Sequence, residues 1–299
     1  MNMSIQEFLQ HLANGISLGS LYALIAIGYT MVYGILRLIN FAHGDIFMLG
    51  TYLTFYGILF TPIPWYIVFI LAPALTGLIG LVLEKLAYKP LRESPRITVL
   101  ISAIGASFLI QNLGILVFGG RPKAFPTPAI LERVLKIGGV SVAIVNFVIP
   151  VVTVILLIGL NFIIQKTKTG MAMRALSKDY ETASLMGINI NQIISITFFI
   201  GSFLAAMGGI MWGVKYPQLM PHMGVLPGLK CFIAAVVGGI GNITGAVLGG
   251  FILGLGEIML IAFLPTLTGY RDAFAFILLI IILLFKPTGL MGEKVTEKV

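Results

Sequence analysis

The chain has 299 residues, of which 58% are hydrophobic and 10% charged, and its mean hydropathy is +1.04. Soluble domains carry about 25% charged residues, so this chain cannot cover a water-facing surface, which excludes a soluble domain. The formal net charge of +8 sits in a few short loops with no aromatic-basic interleaving, which argues against nucleic acid and for the cytoplasmic loops of a membrane protein.

Apolar runs such as 97–118, 140–164 and 193–214 each exceed the ~18 residues that mark a membrane span. Backbone groups in hydrocarbon must pair internally, which leaves helices or a closed barrel. Barrel strands alternate apolar and polar residues over about ten positions, and these runs do not alternate. The expected fold is therefore an all-α integral membrane protein, one polytopic domain over 1–299 with about eight or nine spans, some of them broken or re-entrant.

In chain order, residues 1–10 lack a basic region, so the first apolar stretch reads as a retained span and not as a cleaved signal. Full spans are expected at 12–34, 44–60, 64–84, 98–118, 141–164, 193–214, 243–264 and 268–286, with a shorter glycine-rich piece at 228–241. Between the first two spans lies Asn40-Phe41-Ala42-His43-Gly44-Asp45, a polar break between apolar runs. Asn40 or Asp45 can cap a helix there, and Asp45 suits a helix N-terminus electrostatically. An ionisable group at membrane depth is also a candidate for solute contact. Both readings stay open.

Lysines and arginines set the orientation. Lys85, Lys89, Arg92 and Arg96 follow the third span, and Lys166, Lys168, Arg174 and Lys178 follow the fifth. Two spans separate these loops, so both can be cytoplasmic. The tail, with Lys286, Lys294 and Lys298, joins them if 228–241 crosses the membrane, and the N-terminus then lies outside. Segment 119–139 resists this scheme: it should be external, yet it carries Arg121, Lys123, Arg133 and Lys136 against Glu132. Its prolines mark a turn-rich loop.

The polar loop 165–192 is the longest in the chain. Within it, 170–187 reads as one short amphipathic helix with Ala172, Leu176, Ala183 and Met186 on its apolar side and Gly187 as a left-handed cap. A helix this short needs something to pack on, either the membrane surface or a partner protein. Further on, Gly238, Gly239, Gly241, Asn242 and Gly245 open a block in which glycines recur every four residues through Gly249, with Gly250 and Gly254 as a second series. This is expected to be one smooth helix–helix face, or else a pathway wall or helix break. It loosely resembles the break at 40–45, which hints at an internal duplication. Glu257 sits alone in an apolar span, with no basic partner at helical spacing, while Arg271 and Asp272 near a span end can reach water or each other. Cys231 is the only cysteine, and His11, His43 and His222 lack ligand spacing, so no disulfide or metal cluster is expected. No phosphate-loop motif is present, and no cofactor or catalytic residue is expected.

The string Glu181-Thr182-Ala183, three residues, then Gly187 resembles the E-A-A-x-x-x-G signature of ABC importer permeases, with threonine where the family has alanine. The 40–45 stretch with Gly50, the glycine block and the ending Lys286-Pro287-Thr288-Gly289-Leu290-Met291-Gly292 are similar to hallmarks of the branched-chain amino acid permease family, which also includes urea-type members. The resemblance covers nearly the whole chain. It implies the larger-type ABC importer permease fold in a bacterial inner membrane. It also implies a heterodimer with a second homologous permease, two ATP-binding subunits beneath, and an extracytoplasmic solute-binding protein that delivers leucine, isoleucine or valine. ATP hydrolysis would reside on the partner chains. Arg174, Asp179, Tyr180, Glu181, Ala183 and Gly187 would then form the coupling helix. Urea, amides or other amino acids are alternative solutes. The rival class is an ion-coupled secondary transporter using Glu257, Asp45 and His43.

Overall fold

The computed structural model describes residues 4–137 and 140–292; Lys294 and Lys298 of the basic tail, like residues 1–3, lie outside them. The elements are α1 (Ile5–Leu36), α2 (His43–Phe60), α3 (Trp65–Leu83), α4 (Arg96–Phe118), β1 (Lys123–Ala124), α5 (Ala129–Glu132), β2 (Val134–Ile137), β3 (Val140–Ala143), α6 (Val145–Lys166), α7 (Lys168–Lys178), α8 (Tyr180–Leu185), α9 (Ile190–Lys215), β4 (Gln218–Leu219), α10 (Val225–Gly238), α11 (Ile243–Phe263) and α12 (Arg271–Phe285). Among the described residues, seven helices are long and apolar enough to cross a bilayer. The chain is an all-α, multi-pass membrane protein. Two of the expected spans are not among the seven: α2 is interrupted by polar residues at its start, and α10 is too short.

Helix α1 is the central post. It begins earlier than its apolar run because Ser4 and Glu7 cap it reciprocally, Glu7 N–H donating to Ser4 Oγ at 3.2 Å and Ser4 N–H to Glu7 Oε2 at 2.8 Å. Residues 17–32 are all buried, under α11, α9, α10 and α6. By contrast α4, α6 and α12 bury few of their residues, as helices do where lipid or another chain is the solvent.

The glycine series forms two seams on two sides of α11, not one smooth face. Gly245 and Gly249 lie against the backbone of Gly238 and Ala234 of α10, while Gly250 and Gly254 lie against Ala23 and Gly19 of α1. Small residues let backbones approach where no hydrophobic drive exists between helices. Gly241 belongs to neither seam. It stands in the turn before α11 at φ +95°, facing Gly34.

Over residues 119–137 the chain is more ordered than a turn-rich loop. β1 pairs antiparallel with β4, α5 follows, and β2 forms a hairpin with β3, which delays the expected span at 141 to Val145. Phe125 is buried. Lys123 donates to Tyr56 Oη at 2.6 Å, so one of the four basic residues of this segment serves as a bond between neighbouring elements.

Candidate functional site

Two helices begin inside the bundle. After α1 the chain turns at Arg37, which has φ +53°, and runs back without helical structure to His43. The first turn of α2 closes on Ala42, whose carbonyl accepts from Asp45 N–H at 3.1 Å and Ile46 N–H at 3.0 Å. Asn40 is not the cap; its Oδ1 accepts from Tyr88 Oη at 2.8 Å. Asp45 stands in the first turn, where the helix dipole favours a carboxylate. Its Oδ2 accepts from Ser107 Oγ at 2.5 Å. Ser107 is midway along the 23-residue α4, a helix about 34 Å long, so α2 starts near mid-depth. His43 is fully buried, with Nε2 3.3 Å from the Ile25 carbonyl and its ring 4.3 Å from that of Tyr29.

The second internal start is α10. From α9 the chain passes through β4 and returns to Gly224, whose carbonyl lies where any Cβ on Gly44 would have to go. Gly228 is packed on Gly44 in the same way. Glycine is required at this crossing because backbone meets backbone. The two helix starts therefore touch, one approached from each end of the bundle, an arrangement similar to the discontinuous helices of many transporters. The break at 40–45 thus meets the segment before Val225 in space, and not the glycine block at 236–250.

A cavity of about 240 Å³ opens at this crossing, lined by Gly44, Asp45, Ser107, Gln111 and Gly224 together with Tyr29 of α1, Phe41 before α2 and apolar residues of α4 and α10. The glycine block lies elsewhere. Gly238, Gly239, Gly241, Asn242 and Gly245 form the α10–α11 turn, in which Asn242 Oδ1 accepts from Gly245 N–H at 3.0 Å. Leu290 and Met291 N–H donate to the carbonyls of Val237 and Gly238 at 2.9 and 2.8 Å. The chain's ending thus satisfies the open end of α10, a structural role for this block.

Glu257 is not alone. It is fully buried, and Lys230 Nζ of α10 lies 2.7 Å from Oε1, Arg271 Nε 3.5 Å from Oε2 and Tyr22 Oη 3.1 Å from Oε2. Lys230 also pairs with Asp272 at 2.7 Å. Arg271 and Asp272 therefore reach into the bundle and not only to each other. The pairing spans three helices, so helical spacing along one of them could not show it. Lys230, a lone cation in an apolar stretch, was the available signal. Ser107 and Gln111, one turn apart in a largely apolar span, were another.

The polar loop holds two helices where one was expected. Asp179 breaks the run and caps α8, its Oδ1 accepting from Glu181 and Thr182 N–H at 3.0 and 3.1 Å. Arg174 turns back to donate to the Ile164 carbonyl, so it braces the end of α6. Tyr180 donates to the Ile35 carbonyl at 2.8 Å, and burial pushes its phenol up, so it remains a donor. Leu176 and Ala183 are buried as expected, but Met186 is exposed. Gly187 takes φ +79°, the left-handed cap. Glu181, Leu185 and Met186 face outward on a segment otherwise held to α1 and α6.

The chain matches the family model described as branched-chain amino acid transport system / permease component over residues 11–283. It is 42% identical to the high-affinity branched-chain amino acid transport system permease protein BraD of Pseudomonas aeruginosa, with 99% of each chain covered. It is also 42% identical to the corresponding protein LivH of Escherichia coli, with 100% of each covered. A probable branched-chain amino acid transport permease protein of Methanocaldococcus jannaschii is 29% identical over 94% of this chain and 91% of the relative.

Proposed function

This chain belongs to the branched-chain amino acid transport system permease family, and from that premise we propose that it lines the membrane pathway for leucine, isoleucine and valine in an ABC importer. It is a permease subunit of a transport system and not an enzyme of its own. The observation that carries the solute assignment is full-length correspondence with two permeases named for that solute class.

The assembly we propose has this chain paired with a second, homologous permease in a bacterial inner membrane. Two ATP-binding subunits sit beneath and hydrolyse ATP, and an extracytoplasmic binding protein delivers the solute. The seven full-length helices together with segments 37–60 and 216–238 make nine crossings, with the N-terminus outside and α7–α8 in the cytoplasm, in the larger-type importer fold. The exposed Glu181, Leu185 and Met186 support α8 as the surface the ATPase pushes. Asp179, Tyr180, Arg174, Ala183 and Gly187 hold that surface in place. The push travels through α6 and α9, the helices that flank the loop, and tilts them to switch access. The ion-coupled alternative leaned on Glu257 as a lone carboxylate, and Glu257 is tied to Lys230.

The test is ATP-driven leucine uptake by the four-subunit complex with its binding protein in liposomes. Glu181→Lys should lower uptake at least tenfold, with the permease still in the membrane, either by uncoupling ATP hydrolysis or by releasing the ATPases. Uptake at the unmodified rate would refute the coupling role.

A further inference from the structure

Three acidic side chains are buried among the described residues: Asp45, Glu84 and Glu257. Two of them have cations in place. Glu84 is bonded by Arg92, with Ser195 Oγ donating at 2.8 Å, and Glu257 is held by Lys230 and Arg271. Asp45 forms no ion pair with any described residue; its partner is the neutral Ser107, itself hydrogen-bonded by Gln111 Nε2 at 3.0 Å. His222, exposed on the segment that leads into α10, acts on it only as a charge at longer range. A carboxylate at mid-depth is tolerated when it faces a partner or an aqueous space, and this one faces the cavity at the α2–α10 crossing.

The rest of that cavity has a different chemistry. Phe41, Ile104, Phe108, Val225, Leu229 and Phe232 form an apolar wall opposite the carboxylate. Its volume of about 240 Å³ lies below the roughly 300–1,000 Å³ of drug-sized pockets, a scale suited to one small solute. Phe108 and Val225 at the rim are exposed, so the cavity is reached between α4 and α10. A site with one anionic group, three neutral hydrogen-bonding side chains (Tyr29, Ser107 and Gln111) and an apolar wall suits the ammonium end and the aliphatic side chain of a small amine.

We propose that the permease itself carries a recognition site for an aliphatic amino acid, with Asp45 as counter-ion to the ammonium group and the wall of α4 and α10 taking the branched side chain. Ser107 and Gln111 orient the carboxylate. The site rests on the reading of this chain as part of the solute pathway. It places a selective contact in the permease, additional to whatever selection a binding protein makes. A solute lacking the amino group has the same shape but leaves Asp45 without its partner.

The test uses the whole complex in detergent with Val225→Cys as reporter; the native Cys231 is fully buried and contributes little background. The rate of labelling by N-ethylmaleimide is measured with millimolar leucine, 3-methylbutylamine or 4-methylpentanoate. Leucine and the amine should slow labelling at least threefold, and the acid should not. Asp45→Asn should abolish that protection. Asp45→Glu, which keeps the charge, should retain part of it. Equal protection by amine and acid, protection unchanged in Asp45→Asn, or no protection by any of the three would overturn the site. Leucine uptake by the complex without the reporter substitution is read in parallel in liposomes. Absent uptake with protection intact would overturn the pathway reading while leaving the recognition site standing.

Discussion

Lys230 shows how much one side chain can carry in this bundle. It pairs with Glu257 and Asp272 at once, at 2.7 Å from each, and so ties α10 to α11 and α12. Removing one partner of a buried pair leaves an uncompensated charge and costs about 3–5 kcal/mol, whereas removing both can be near neutral. Lys230→Met should therefore lower the thermal unfolding midpoint of the detergent-solubilised subunit strongly, and Lys230→Met with Glu257→Gln should recover much of the loss. Fluorescence-detected size-exclusion chromatography after heating reads both, and a double variant no better than the single one would refute the pairing energetics. Asp179 is a second residue on which an element depends. It caps α8, a helix of only six residues, and losing such a cap costs about 1 kcal/mol. Asp179→Ala should loosen α8 and raise its amide hydrogen exchange while leaving α7 unchanged.

At the scale of elements, the helix seams are made by backbone contact. A Cβ on Gly254 would run into the backbone of Leu18 and Gly19, whereas a Cβ on Gly159 of α6 would meet nothing within 4 Å. Backbone cannot move aside as the end of a flexible side chain can, and overpacking costs about 1–3 kcal/mol. Gly254→Ala should accordingly destabilise the subunit and Gly159→Ala should not, as judged by thermal midpoints in the same detergent. An equal effect of the two would mean that the α1–α11 seam is looser than its geometry. The same logic applies at Gly44 and Gly224, where two helix starts touch and the substitution would also disturb the cavity.

For the whole molecule, the proposed nine crossings make a sidedness prediction. Arg133, exposed between α5 and β2, and Lys178, exposed at the end of α7, should lie on opposite faces. In intact cells, Arg133→Cys should react with a membrane-impermeant thiol reagent once that reagent reaches the periplasmic side, and Lys178→Cys only after the inner membrane is opened. Reaction of both from one side would overturn the topology. If 119–139 is external, its unusual charge has a partial physical account: Lys123 is bonded to Tyr56 and lies over its ring, so it acts as a structural tie and not as a free surface charge.

By itself the sequence determined the solvent this protein lives in, the helical class, most span positions and the family. These rest on composition, on runs of apolar residues and on local strings such as Glu181-Thr182-Ala183 with Gly187, all legible along one dimension. Local capping chemistry was partly legible too, as Gly187 and the helix break near residues 40–45 show. Tertiary structure alone decided which residues meet. Lys230 and Glu257 sit on different helices, so no spacing rule links them. Asp45 and Ser107 come from α2 and α4, and Gly44 meets Gly224 across most of the chain. The expected single glycine face became two because α11 is clasped by α10 on one side and α1 on the other. The expected single loop helix became two because Asp179 gains more by capping α8 than by continuing α7. Side-chain identity sets what each helix can bury, but only the packing of helices from distant parts of the chain brings a carboxylate, three neutral hydrogen-bonding side chains and an apolar wall around one cavity.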